Sequence, residues 1–305
     1  MPAPTVRDVH LESALAGVSI AYRNTEYIAD QVFPTVPVAK KSDYYYIFDK
    51  QAWFRNTVKK RAPGTRAKRV DYTLSTASYI CLPYALAKAV TDEERKNADV
   101  PLQPDVAATE FVTNALLLGR EIRVADLVSA SANWAYSASP TTQWSSDTSD
   151  PIGDIQTARN NVIQAIGAKP NVAVMSWDVW QDLEVHPDLI DRVKHTRTGG
   201  IVTPNDLAGW FGFDKVLVGT AIYDTAVEGQ TASVSYVWGD DFWLGYVPTT
   251  PALMEPASGY VFTWQDFTVS RFREDQEKQD IIEAEHHTDE VICASDAGGI
   301  IYNVT

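Results

Sequence analysis

Two runs of β-forming residues frame the first third of the chain: Tyr44, Tyr45, Tyr46, Ile47, Phe48, Trp53 and Phe54, then Val70, Tyr72, Leu74, Tyr79 and Ile80. Pro63-Gly64 lies between them as a turn signal, so the pattern predicts a long β-hairpin with a cationic tip. A two-stranded ribbon is marginally stable alone in water, and the hairpin is therefore expected to lie against another subunit. Upstream, residues 1–40 place Pro2, Pro4, Pro34 and Pro37 around a modest helical pattern of Leu11, Leu15 and Val18. They read as an arm lying on something, extended by proline chemistry at VFPTVPV.

Beyond the hairpin the period changes. Thr91-Asp92-Glu93-Glu94 is a helix start, with Thr91 as N-cap and acids where the helix dipole favours them. A second start follows at Pro104-Asp105, with proline at the first helical position. From there Val112, Ala115, Leu118, Ile122, Ala125 and Val128 recur at steps of three or four, which predicts one long helix with a broad apolar stripe. The Ser, Thr, Pro and Asp of residues 137–153 then predict a domain boundary.

After that boundary, helix and strand alternate. Asp154 to Ile166 carries Ile155, Ala158, Val162 and Ile166 on one side, NVAVM is a short buried strand, and Ser176 can cap the helix WDVWQDLEV. Thr203-Pro204-Asn205-Asp206 opens another helix, after which KVLVGTAIY and SVSYVWG read as strands of a compact α/β unit. The last fifty or so residues return to β character in GYVFTWQDFTVSRF and DEVICASDAGGIIYNV.

Charge sharpens this picture. The net charge is −14, yet Arg55, Lys59, Lys60, Arg61, Arg66, Lys68 and Arg69 fall together in the hairpin without an acid among them, so removing those seven leaves −21 for the rest. At 305 residues, 45% apolar and 11% aromatic, the chain is a folded protein of about two domains or one elaborated one. MPAPTVRDVHLESALAG has no basic region followed by an apolar run, and nowhere do about 18 apolar residues follow one another, so neither signal peptide nor membrane span is expected. Cys81 and Cys293 form no CxxC pair, suit a reducing cytoplasm, and are expected as small buried apolar groups.

Few residues suggest chemistry. There is no phosphate loop, no dinucleotide-binding glycine run and no nucleophile elbow, so no catalytic residue, metal or cofactor is expected. The pair His286 and His287 in EAEHHTDE points to opposite faces of a strand, which disfavours a shared ion. Residues 274–290 carry eight acids against Lys278 and read as a solvated or partner-facing strand; His10, His186 and His195 read as surface residues. Trp177, Trp180, Trp238 and Trp243 read as core or interface residues. An enzyme in the α/β middle would draw on Asp178, Asp182, Glu184, His186 and Asp188, a cluster that helical solvation explains better.

For the cationic segment three readings compete: a phosphate grip, a solvated loop, and a protein partner. An acidic chain is repelled by nucleic acid unless a local patch overrides its field, and the protein partner is favoured. Glu274, Asp275, Glu277, Asp280, Glu283 and Glu285 on a neighbouring copy form a suitable counterpart, where opposite charge steers docking and fixes register.

An arm, a long hairpin, a long helix, an α/β middle and a β-rich return, in that order, resemble tailed-bacteriophage major capsid proteins of the Hong Kong 97 type. IADQVFPTVPVAKKSDYYYIFD, VTDEERKNAD and LQPDVAATEFVTNALLLGREI are similar to segments of that family. The resemblance implies an α+β fold with an N-terminal arm (1–40), an extended loop (41–86), a peripheral domain in two parts (87–149 and 250–305) whose spine is the long helix, and an axial domain (150–249). It implies self-assembly into pentamers and hexamers of an icosahedral head enclosing double-stranded DNA, with scaffold, portal and decoration proteins as possible partners and no membrane. The place implied is the virion, assembled in the host bacterial cytoplasm. An encapsulin-like compartment shell, which shares the architecture, is the alternative. Some relatives join a loop lysine to an asparagine, for which Lys59, Lys60 or Lys68 and Asn303 are the formal candidates.

Overall fold

The computed structural model describes residues 24, 26–48, 50–98, 103–194, 201–227, 229–251 and 254–305. The described arm contributes α1 (Ala29–Val32) and β1 (Thr35–Pro37); the loop contributes β2 (Ser42–Phe48), α2 (Lys50–Phe54) and β3 (Leu74–Ile80). There follow β4 (Leu82–Thr91), α3 (Asp92–Asn97), the long helix α4 (Pro104–Ser129) and β5 (Tyr136–Ala138). The middle runs α5 (Pro151–Ile166), β6 (Val172–Ser176), α6 (Trp177–Val185), α7 (Pro187–Lys194), α8 (Pro204–Phe211), β7 (Lys215–Gly219), β8 (Ile222–Asp224), β9 (Val234–Tyr236) and β10 (Phe242–Gly245). The return consists of β11 (Gly259–Glu274), β12 (Gln279–Ile292) and β13 (Gly298–Ile301). Leu11, Leu15, Val18, His10 and His195 lie outside the described residues.

Local chemistry sets the helix starts. Thr91 and Glu94 close a capping box on α3, Pro104 takes the first position of α4, where its missing N–H has no helical partner to lose, and Ser176 accepts from the Val179 amide at the start of α6. Thr203 and Asp206 box the start of α8. Among the described residues no helix is long and apolar enough to cross a membrane.

A four-stranded sheet in the order β1-β11-β12-β4 packs one face on the first half of α4, where Ala108, Val112 and Leu116 meet Val90, Ile282 and Ala284. The second half of α4 turns a different stripe, Val124, Ala125 and Val128, toward Trp134, Trp243 and Val261. Two packing partners explain why the predicted stripe holds only at Val112, Ala125 and Val128, while Ala115, Leu118 and Ile122 stay half-buried. The helix follows first a sheet and then a domain junction.

A second sheet, β5-β13-β10-β6-β7, draws strands from distant parts of the chain. This sheet crosses the expected segment bounds: β5 lies within 87–149 and β13 within 250–305, and both pair into the sheet that holds β6, β7 and β10. Glycine permits it. A Cβ on Gly298 would stand 2.4 Å from the Trp134 ring, so only a bare backbone passes beneath that indole.

The hairpin is shorter than its hydrophobic pattern. Strands β2 and β3 pair antiparallel from Ser42↔Ile80 to Phe48↔Leu74, but Trp53 and Phe54 fall in α2, and Val70 and Tyr72 precede β3. Between them the seven cations have no cross-strand acid to pair with, and mutual repulsion opposes a ladder there. β4, which begins inside the extended-loop segment 41–86 and runs past its end, pairs instead with β12. The predicted strand KVLVGTAIY also breaks in two: Trp238 packs so closely on Gly219 that a Cβ there would lie 2.2 Å from its ring, and β8 pairs separately with β9.

Candidate assembly surfaces

The cationic residues Arg55, Lys59, Lys60, Arg61, Arg66, Lys68 and Arg69 are all exposed, and none forms an ion pair with a described residue. Their loop is gathered at its neck by three aromatic rings: Trp53 lies 6.3 Å from Phe48 and 6.4 Å from Tyr72, and Phe48 lies 5.9 Å from Tyr72. The base of the ribbon rests on the protein's own sheet. Tyr79 stacks on Phe262 at 4.6 Å, Tyr45 flanks the same ring, Cys81 is fully buried beside them, and the Ile80 amide donates to Asp289 at 2.8 Å. Intrachain packing therefore stabilises the base that was expected to need a partner, while Tyr44, Tyr46, Trp53, Phe54 and Tyr72 remain exposed above it. Burial pushes the Tyr45 hydroxyl and the half-buried Cys293 thiol up to about 12.

The acidic counterpart divides. Strand parity puts Asp280, Ile282, Ala284, His286 and Thr288 on the face toward α4, and Ile281, Glu283, Glu285 and His287 on the other. Asp280 is therefore no free docking carboxylate. It is buried against Arg271, with Arg95 at 2.8 Å and Arg273 at 3.3 Å, and these hydrogen-bonded guanidinium groups hold its carboxyl below the usual range. Asp92 and Asp105 complete the cluster through Arg273 and Arg95, each at 2.7 Å. Glu285 pairs with His287 at 2.8 Å, and Glu274 and Glu277 both accept from Gln279. Asp275 remains exposed at the hairpin tip with one long contact to Arg273, and Glu283 is half-buried on the outer face.

The two histidines do face opposite ways, but neither is solvated. His286 lies between Tyr84 and Phe267, its ring 5.7 Å from each, and burial together with Arg123 and Arg120 lowers its pKa to about 4. His287 is covered by Trp264, whose ring meets it edge-on at 5.1 Å. Long neighbouring side chains cover this strand, which its charge content does not show.

One buried carboxylate has no warning in the sequence. Glu121, in the second half of α4 and 1% exposed, accepts N–H groups from Ile28 at 3.0 Å, Ala29 at 2.9 Å and the Trp238 indole at 2.7 Å. Around it the arm crosses the molecule: Tyr27 donates to Asn114, Arg120 pairs with Asp30, and the Asn24 amide exchanges two bonds with the Ile222 backbone. The described part of the arm thus lies on its own chain.

The candidate cluster of the α/β middle is spread over α6, the turn at His186 and the start of α7. His186 is buried, not at the surface; its Nδ1 accepts from the Asp188 amide, so Nε2 carries the proton toward Ser149 Oγ at 3.1 Å. Ser149 in turn donates to the Ser146 carbonyl, and these bonds run opposite to those that activate a serine. Burial, and then the Asp178 charge, raises the Asp182 pKa, and Glu184 lies beyond them on the same helix. Among the described residues no group of three or more His, Cys, Asp and Glu is arranged to hold a metal. Trp180, Trp238 and Trp243 are buried, whereas Trp177 is 37% exposed. Asn303, at positive φ, donates its backbone N–H to Asp241 at 3.1 Å, in the α/β middle.

No family model matches the chain. It is 28% identical over 306 residues to the major capsid protein of Burkholderia phage BcepMu, covering 96% of each. It is 30% identical over 236 residues to the major capsid protein of Pseudomonas phage JBD67, covering 75% of this chain and 74% of that one. Among solved structures, the crystal structure of a phage-related protein from Bordetella bronchiseptica RB50 matches with a TM-score of 0.71 at 28% identity, over 93% of both chains. The solved capsids of Cyanophage P-SCSP1u, bacteriophage PhiM1 and Myoviridae phage XM1, at 10 to 11% identity, share the fold alone, with TM-scores from 0.59 to 0.65.

Proposed function

The chain belongs to the family of phage major capsid proteins, and on that premise we propose that its copies close into an icosahedral head of pentamers and hexamers around double-stranded DNA. Its role is structural, and the viral relatives favour a phage head over a compartment shell. Heterologous contacts repeated around five- and six-fold axes close such a shell, and loops that adapt let one subunit fill slightly different places.

The observation that carries this reading is the exposed cationic segment 55–69, without an ion-pair partner among the described residues, on a chain whose remainder is acidic. A neighbouring copy supplies what this segment lacks. Its receptor is the acidic hairpin less Asp280: Glu274, Asp275, Glu277, Glu283 and Glu285. Acidic surface toward the lumen repels phosphate, so the packaged DNA slides instead of sticking. The arm, extended loop, peripheral parts and axial unit keep the roles implied by the resemblance, and scaffold, portal and decoration proteins are the further partners. Assembly takes place in the host cytoplasm and ends in the virion.

Negative-stain electron microscopy of the purified recombinant chain, alone and at raised concentration, tests this. Closed shells or capsomer rings are the expected result. Dispersed monomers at every concentration, together with an absence of particles containing the chain in infected cells, would overturn it.

A further inference from the structure

Among the described residues the extended loop meets its own axial unit at Lys50 and at Phe54, and neither contact belongs to the core. Lys50, at the start of α2, places Nζ 2.8 Å from Asp296 Oδ2, in the turn that leads into β13. At the other end of α2, the Phe54 ring lies over Gly167, the left-handed C-cap of α5 at φ +71. A Cβ on Gly167 would stand 3.1 Å from that ring, so the glycine both ends the helix and leaves room for Phe54. Immediately afterwards comes Arg55, the first of the seven cations.

We propose that these contacts form a latch that aims the cationic loop from within its own subunit before a second copy arrives. The inference rests on the loop being an assembly contact. With α2 held at both ends and the neck closed by Phe48, Trp53 and Tyr72, the adjustment that docking requires falls to residues 55–71 beyond the neck. Presetting the rest lowers the ordering cost that association must meet. Both latch residues are exposed, Lys50 at 46% and Asp296 at 39% of the side chain, and an exposed ion pair is weak, so the latch sets a direction and still yields to small adjustments. The exposed Trp53 and Phe54 travel with α2, so the latch fixes an aromatic patch as well as a charge.

Hydrogen–deuterium exchange on the full-length, unassembled chain, paired with light scattering for assembly, decides the matter. The variants are Lys50→Ala, Asp296→Ala and the swap Lys50→Asp with Asp296→Lys. In either single variant, amides of residues 42–54 and 72–80 should exchange several-fold faster, and assembly should begin at a several-fold higher concentration. The swap should bring both values back toward wild type. Phe54→Ala, an exposed substitution that changes no charge, should act in the same direction. Neck exchange equal to wild type in the single variants overturns the latch; so does assembly at an unchanged or lower concentration. A wild-type chain that forms no particles counts against the proposed function, and exchange then decides the latch by itself.

Discussion

Trp238 donates its indole N–H to a Glu121 carboxylate oxygen at 2.7 Å, a bond that joins the strand-rich middle of the chain to the second half of the long helix. The same carboxyl receives the Ile28 and Ala29 amides, so one side chain holds three parts of the fold together. Glu121→Gln keeps one acceptor oxygen but turns an NH2 toward these donors. The expected loss is about 1–3 kcal/mol, read from the urea midpoint, because buried donors are left unsatisfied. Burial also raises the Glu121 pKa. A carboxyl whose folded pKa is raised binds its proton more tightly when folded, so its contribution is greatest below the unfolded pKa and falls as pH rises through the folded value. That slope should be absent in Glu121→Gln; an identical pH profile in both proteins would assign the raised pKa elsewhere.

His286 gives the opposite sign. Its pKa falls from 6.5 to about 4, first through burial and then through Arg123 and Arg120, with Glu290 opposing them. The unfolded chain therefore takes the proton first. Stability from this group is full above pH 6.5 and is lost as pH falls toward 4, on the order of 3 kcal/mol in all. His286→Phe keeps an aromatic ring between Tyr84 and Phe267 and should flatten the profile over that range. Equal acid sensitivity in the variant would show that other groups set it.

Asp280 and Asp275, five residues apart at the hairpin end, should behave differently. Asp280→Asn removes the charge that gathers Arg95, Arg271 and Arg273, and it should lower the thermal midpoint of the unassembled chain. Asp275, with 93% of its side chain exposed, should leave that midpoint unchanged when made Asn and should slow assembly instead. Equal thermal shifts in the two variants would contradict the division of the acidic segment into an internal cluster and an outer surface.

What the sequence made legible follows the range of the interactions. Thr91 with Glu94, Pro104, Ser176 and Thr203 with Asp206 act within one helical turn, and each was readable where it stands. The place of Asp280 was also within reach, since its parity matches Ile282 and Ala284 on the buried side of the strand. Glu121 was not: it stands in a helical stretch after Gly119 and Arg120, and its donors lie at positions 28, 29 and 238. The same holds for β13, whose neighbour β5 pairs Gly299 with Tyr136 across more than half the chain. Periodicity locates a strand and leaves its partner unspecified.

The cationic tip offers the most direct test of assembly. Lys59, Lys60 and Arg61 are exposed and make no ion pair with a described residue, so reversing all three to Glu breaks no ion pair among the described residues. The monomer should keep its circular dichroism and its melting temperature to within the small effects usual for surface substitutions. Docking should fail, because the incoming loop then presents like charge to Glu274, Asp275, Glu277, Glu283 and Glu285 of a neighbour, and like charges across an interface suppress the encounter. Salt separates this account from a general loss of loop structure. Screening at high ionic strength weakens repulsion between exposed charges, so the variant should regain some assembly as salt rises while the wild-type chain assembles more slowly. Light scattering across a salt series measures both, and a normal particle yield from the variant at moderate salt would remove the charge of the loop from the mechanism.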